Sequence, residues 1–202
     1  MSLFFNKSRV ETFSDGIFAI IVTLLVLELK DPEIRNHGSA SELAAALKGM
    51  LPKLLSWIIS FGIVCVVWVN HHRIFESMGR LTHRIFWLNA NLLLWCSLIP
   101  FPTALIGDHP DNPTALFVFG AAMALMALSF YLLRRGMLAT PEAIKEGMDI
   151  DAFRRDTRRS LIFGPMMYLT GVLFGLVRPE LAFGVYAFIP LYFVFWGSKG
   201  EE

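Results

Sequence analysis

The chain has 202 residues, 55% of them hydrophobic, with a mean hydropathy of +0.55 and a formal net charge of +1. Soluble domains hold about 45–50% apolar residues; here the excess is gathered into blocks of bilayer-spanning length, about 20 residues each, which excludes an ordinary soluble domain. The charges sit in loops and give no ground for a nucleic-acid partner, and two cysteines in separate apolar blocks, Cys65 and Cys96, support neither a disulfide framework nor a zinc site.

The first apolar block, Val10–Leu29, follows Lys7 and Arg9 as a signal peptide would. It carries Asp15 and Glu28 and has no small-residue cleavage site directly after it, so it reads as a retained helix over residues 9–29. Ser8 through Glu11 fits a capping box at its start. A second box, Ser39 through Glu42, opens a short amphipathic helix leading into the next block.

Five further blocks follow, at residues 51–69, 85–106, 115–133, 161–177 and 181–196. Backbone in hydrocarbon must satisfy its own hydrogen bonds, and these blocks are continuous rather than alternating, which excludes a barrel. Pro100 and Pro102 should kink the third helix. Thr140-Pro141 reads as an N-cap and first helical position, and Arg178-Pro179-Glu180 as a tight hairpin. Trp57, Trp68, Trp87 and Trp196 lie near block ends, as interface anchors do. Most Lys and Arg residues fall on the side of the N-terminus, which places both termini in the cytoplasm. The expectation is an all-α, multi-pass integral membrane protein forming one domain over residues 1–202, with about six transmembrane helices in contact with lipid.

The first helix carries the informative residues. At about 100° per residue, Phe13, Gly16, Ile20, Thr23, Leu24 and Leu27 form one stripe, and Asp31 extends it beyond the membrane. Asp15 lies off that stripe. A carboxylate inside a span marks a functional candidate, and Arg9 lies too far around the helix to pair with it. Asn70, His71 and His72, at the end of the second helix, share its depth. An Arg9–Asp15–histidine network would clamp the first helix to its neighbours. His71 and His72 point about 100° apart, which does not suit a shared metal ion, and no metal or cofactor is expected. The carbonyl-filter sequence Thr-Val-Gly-Tyr-Gly is absent; Gly184-Val185-Tyr186 reads as packing. No nucleophile elbow, phosphate loop or acid–base carboxylate pair is present, so no enzyme is expected.

Arg9-x-x-x-Phe13-Ser14-Asp15-Gly16 resembles the RxxxFSDG signature of the prokaryotic and lysosomal transmembrane protein 175 potassium channels. Phe18-Ala19-Ile20, the run Thr23 to Glu28, Trp68-Val-Asn70-His71-His72-Arg73-Ile-Phe75 and the run Asn91 to Thr103 are similar to the bacterial members. The resemblance implies a homotetramer whose first helices surround a central pore, and weak preference for potassium over sodium without a carbonyl filter. By motif position it implies that Ile20 is the hydrophobic constriction, Thr23 a hydroxyl layer, and Leu24 and Leu27 further apolar rings. Asp31, and Glu28 less directly, would make the outer mouth negative; Ser14 joins the structural network. A bacterial or archaeal plasma membrane is the expected location. The alternative is a proton-coupled secondary transporter with Asp15 and His71 or His72 as the relay.

Overall fold

The computed structural model describes residues 4–196, without the side chains of the terminal residues 4 and 194–196, so the side chain of Trp196 lies outside the described residues. It is almost wholly helical. β1 (Phe4–Phe5) leads into α1 (Lys7–Val26); α2 (Ala40–Gly49), α3 (Leu51–Glu76), β2 (Leu81–Thr82), α4 (His83–Ser97), α5 (Pro100–Asp108) and α6 (Pro113–Leu138) follow. A short 3₁₀ turn (Pro141–Ala143) precedes α7 (Ile150–Leu161), a π-helical turn (Ile162–Met166), α8 (Met167–Gly175) and α9 (Pro179–Trp196).

Among the described residues, three helical segments are long and apolar enough to cross a membrane: Leu51–Glu76, His83–Asp108 and Pro113–Leu138. The second contains the α4–α5 junction, where the helix turns at Leu98-Ile99 and restarts at Pro100; the two prolines interrupt the helix there rather than bending it smoothly. α1 has 20 residues, enough for about 30 Å of rise, but carries Arg9, Glu11 and Asp15.

Local sequence signals set the helix starts, with corrections. Asn6, not Ser8, caps α1: its side chain accepts from the Arg9 amide at 3.2 Å, so the helix begins before the expected position. Ser39 caps α2 by accepting from the Glu42 amide, while the Glu42 carboxylate receives the Arg35 and Asn36 amides instead of closing a box. Thr140-Pro141 opens only the 3₁₀ turn, and the following helix is capped by Asp149. The second and fourth blocks extend past their apolar limits, to Glu76 and Leu138. The fifth is interrupted by the π-turn around Pro165, whose missing N–H cannot continue the ladder.

Three small features tie the starts of α1 and α4 together. β1 pairs antiparallel with β2, Phe4 opposite Thr82 and Phe5 opposite Leu81. Phe5 stacks on Phe86, and Lys7 Nζ donates to the Met78 carbonyl at 2.8 Å. Thr82 in turn caps α4.

The core follows from small-against-large packing. Tyr186 of α9 is fully buried, beside Gly120 of α6 and Gly171 of α8. A Cβ at either glycine would fall inside van der Waals contact with the tyrosine. Its hydroxyl donates to the Leu116 carbonyl at 3.1 Å. Gly184-Val185-Tyr186 is thus a packing element. Glycine permits this approach without loss of lipid-phase stability, because helix association in a bilayer rests on close packing. Gly171→Ala should lower stability by about 1–3 kcal/mol, the usual cost of overpacking, read as a fall in thermal midpoint of the detergent-solubilised protein; Gly184→Ala, where nothing lies within 4 Å, should leave it unchanged.

Candidate functional site: the exposed face of the first helix

α1 has two unlike faces. Val10, Ser14, Phe18, Ile21 and Leu25 are buried against the rest of the subunit, mainly α3 and α4. Phe13, Gly16, Ile20, Thr23, Leu24 and Leu27 are exposed. The contrast between neighbours is sharp: Ile20 is 58% exposed and Ile21 is 2% exposed, Leu27 is 65% exposed and Leu25 is fully buried. The stripe read from the sequence is therefore the side of α1 that its own subunit does not cover.

What fixes this rotation is a buried polar chain. The Ser14 hydroxyl donates to the Val10 carbonyl at 2.9 Å, and its oxygen accepts from Asn89 Nδ2 of α4 at 3.0 Å. Asn89 Oδ1 then lies 2.8 Å from His71 Nε2 of α3. Because the amide nitrogen is committed to Ser14, the amide oxygen faces the ring, and His71 donates through Nε2. All three side chains are at most 1% exposed. Phe18 meets the imidazole edge-on and Phe75 stacks on it at 4.4 Å between centroids. One residue from each of three helices thus enters a single chain of hydrogen bonds.

Asp15 is held separately. Its Oδ1 accepts from Trp68 Nε1 at 2.9 Å. His72 lies between Glu11 and Glu76, at 3.7 and 3.5 Å. The Asn70 amide donates to the Val66 carbonyl of its own helix. Arg9 is exposed at the start of α1. The structure thus joins Ser14 to His71 but leaves Arg9, Asn70 and His72 outside that cluster, and Asp15 reaches α3 through an indole rather than a histidine. Asn89 and Trp68 were the residues missed. Asn89 is a polar side chain inside an apolar block, which is itself a signal; Trp68 stands in the sequence as an interface anchor and at the start of the Trp68–Phe75 run, and neither reading pairs it with Asp15.

At the far end, the Thr23 hydroxyl donates to the Ile20 carbonyl at 2.8 Å. Its proton is spent on its own helix, so the exposed side of the oxygen offers lone pairs. Asp31 is exposed beyond the helix end. Glu28 is half-buried and lines a small crevice with Ser56, Trp57, Thr103 and Asp108, turned toward its own subunit. Lys53 and Asp108 form an ion pair at that crevice. Among the described residues, no group of three or more His, Cys, Asp or Glu side chains is placed to hold a metal ion.

The model of the family described as endosomal/lysosomal potassium channel TMEM175 matches residues 9–100, the part that holds α1, α3, Trp68, His71 and Asn89. A potassium channel of Chamaesiphon minutus is 34% identical over 194 residues, covering 93% of each chain. A potassium channel of a Chryseobacterium species is 33% identical over 199 residues, covering 98% of this chain and 97% of that one. The crystal structure of a lysosomal potassium-selective channel TMEM175 homolog from Chamaesiphon minutus superposes with a TM-score of 0.81 at 33% identity, over 95% of this chain and 98% of that one. A multi-pass membrane protein, similar from end to end to these channels and matching the family's model over its signature helix, the chain belongs to the TMEM175 potassium channel family.

Proposed function

We propose that the chain is one subunit of a homotetrameric potassium channel with six spans per subunit, in which the exposed stripes of four α1 helices enclose the ion route. The observation that carries this reading is the apolar, uncovered face of α1 opposite a fully packed one. The whole-length relatives named as potassium channels support it.

Ile20 side chains meeting on an axis offer no oxygen to a cation, so the ring closes by excluding water. An ion passing a narrow ring must shed part of its hydration shell. Potassium does so at lower cost than sodium, which yields a weak preference. Thr23, one turn away, presents oxygen lone pairs that replace part of the lost water. Leu24 and Leu27 continue the apolar lining. Asp31 at the mouth concentrates cations by its charge; Glu28, turned into its own subunit, contributes less. The proper site of action is a bacterial or archaeal plasma membrane.

Reconstituted into liposomes, the protein should pass potassium faster than sodium down equal gradients. Ile20→Asn should raise the flux: lowering the barrier by about 1.4 kcal/mol gives a tenfold increase, and an unchanged rate would remove Ile20 from the constriction. Asp15→Asn should conduct without any requirement for a proton gradient, whereas a proton-coupled transporter would lose pH-driven flux in that variant. Asn89→Ala leaves buried donors and acceptors on Ser14 and His71, and should cost about 1–3 kcal/mol of stability, measured as a lower thermal midpoint.

A further inference from the structure

α7 is the most strongly basic element of the chain, with Arg154, Arg155, Arg158 and Arg159 in two turns. It does not float free. Arg134 of α6 donates to Thr157 Oγ1 at 3.1 Å and to the Phe153 carbonyl at 3.4 Å, and its guanidinium lies 4.2 Å from the centre of the Phe153 ring. Phe153 and Thr157 are buried by this contact. The outer face of α7 is therefore held in one orientation.

Two of its arginines are already engaged. Arg154 pairs with Asp151 at 3.0 Å and Arg159 lies 3.9 Å from Asp156. Arg155 and Arg158 are exposed, and no ion pair is made by either among the described residues. They sit about 60° apart on one flank at 100° per residue. Below them the chain passes through the π-turn into α8. Ile162, Met166, Leu169 and Leu173 follow in the π-turn and α8, all exposed. An exposed guanidinium pair is thus followed by a run of bare apolar side chains. That order suits a boundary between hydrocarbon and headgroups, where arginine stems cover apolar surface while the charge stays in the polar layer.

We propose that Arg155 and Arg158 together bind the phosphate of an anionic phospholipid whose acyl chains lie along Ile162, Met166, Leu169 and Leu173. The planar guanidinium matches a phosphate diester through paired hydrogen bonds. A zwitterionic lipid brings its own cation to the same place and gains little, so net negative charge is what the pair selects. This surface belongs to α7, the π-turn and α8, not to α1, whose exposed face is proposed to enclose the ion route.

Native mass spectrometry of the detergent-purified channel titrated with phosphatidylglycerol and with phosphatidylcholine tests it. Phosphatidylglycerol should bind in preference. Each arginine near an anionic surface is worth about fivefold in affinity, so the Arg155→Gln/Arg158→Gln double variant should lose about 25-fold, while Arg154→Gln, whose charge is paired within its helix, should lose less than about twofold. If the double variant does not assemble, the two single variants carry the test, at about fivefold each. Equal binding of the two lipids, an unchanged affinity in the variants, or displacement of the lipid by millimolar inorganic phosphate would overturn the proposal, the last by showing a soluble-anion site instead.

Discussion

A chain of hydrogen bonds from Ser14 through Asn89 to His71 joins three helices, and its directionality sets the rotation of α1. The Ser14 hydroxyl donates within its own helix to Val10, but its oxygen meets the Asn89 amide only with that face turned inward, and Asn89 turns its own oxygen toward His71. Apolar packing alone fixes rotation weakly, since one greasy side chain substitutes readily for another. A three-membered chain of directional bonds does not allow such slippage. Once Ser14 points inward, Phe18, Ile21 and Leu25 follow it into the subunit, and Ile20, Leu24 and Leu27 are left facing out. The face proposed to meet ions is thus positioned by residues that do not lie on it.

The same logic explains why the signature runs through both kinds of position. Ser14 and Asp15 hold α1 to α4 and α3, through Asn89 and Trp68. Phe13 and Gly16 lie on the open side. The clasp of β1 on β2 and the bond from Lys7 to Met78 secure the beginning of the helix near the start of α4. α1 is therefore tied at its entrance and along its buried face, and its far end closes in a turn at Leu27–Leu29 beside the buried Leu25.

Much of this was legible in the residues. The apolar blocks located the long helices, because a helix spanning hydrocarbon needs nothing but length and hydrophobicity to declare itself. The 3.6-residue period separates the two faces of α1, since Ile20 and Ile21 differ in position and not in kind. Other features were out of reach. The cap at Asn6 competes with Ser8, and nothing local ranks an asparagine above a serine. The partner of Asp15 depends on which side of α3 approaches α1: depth in the membrane points to His71 or His72, and the packed helices present Trp68 instead. The β1–β2 clasp involves strands of two residues, too short for any alternation to show. The π-turn needed Pro165 to be recognised as an interruption inside an apolar run rather than a boundary.

The central claim is that Ile20 faces an aqueous ion route shared by neighbouring subunits while Ile21 does not. Thiol accessibility tests it most directly: Ile20→Cys and Ile21→Cys channels, with Cys65 and Cys96 replaced, are reconstituted and treated with a charged, water-soluble methanethiosulfonate during potassium flux. The account predicts block of the Ile20→Cys channel and no effect on Ile21→Cys. Unimpeded flux through Ile20→Cys, with its thiol modified only by a lipid-soluble maleimide, would place that face against lipid and contradict it.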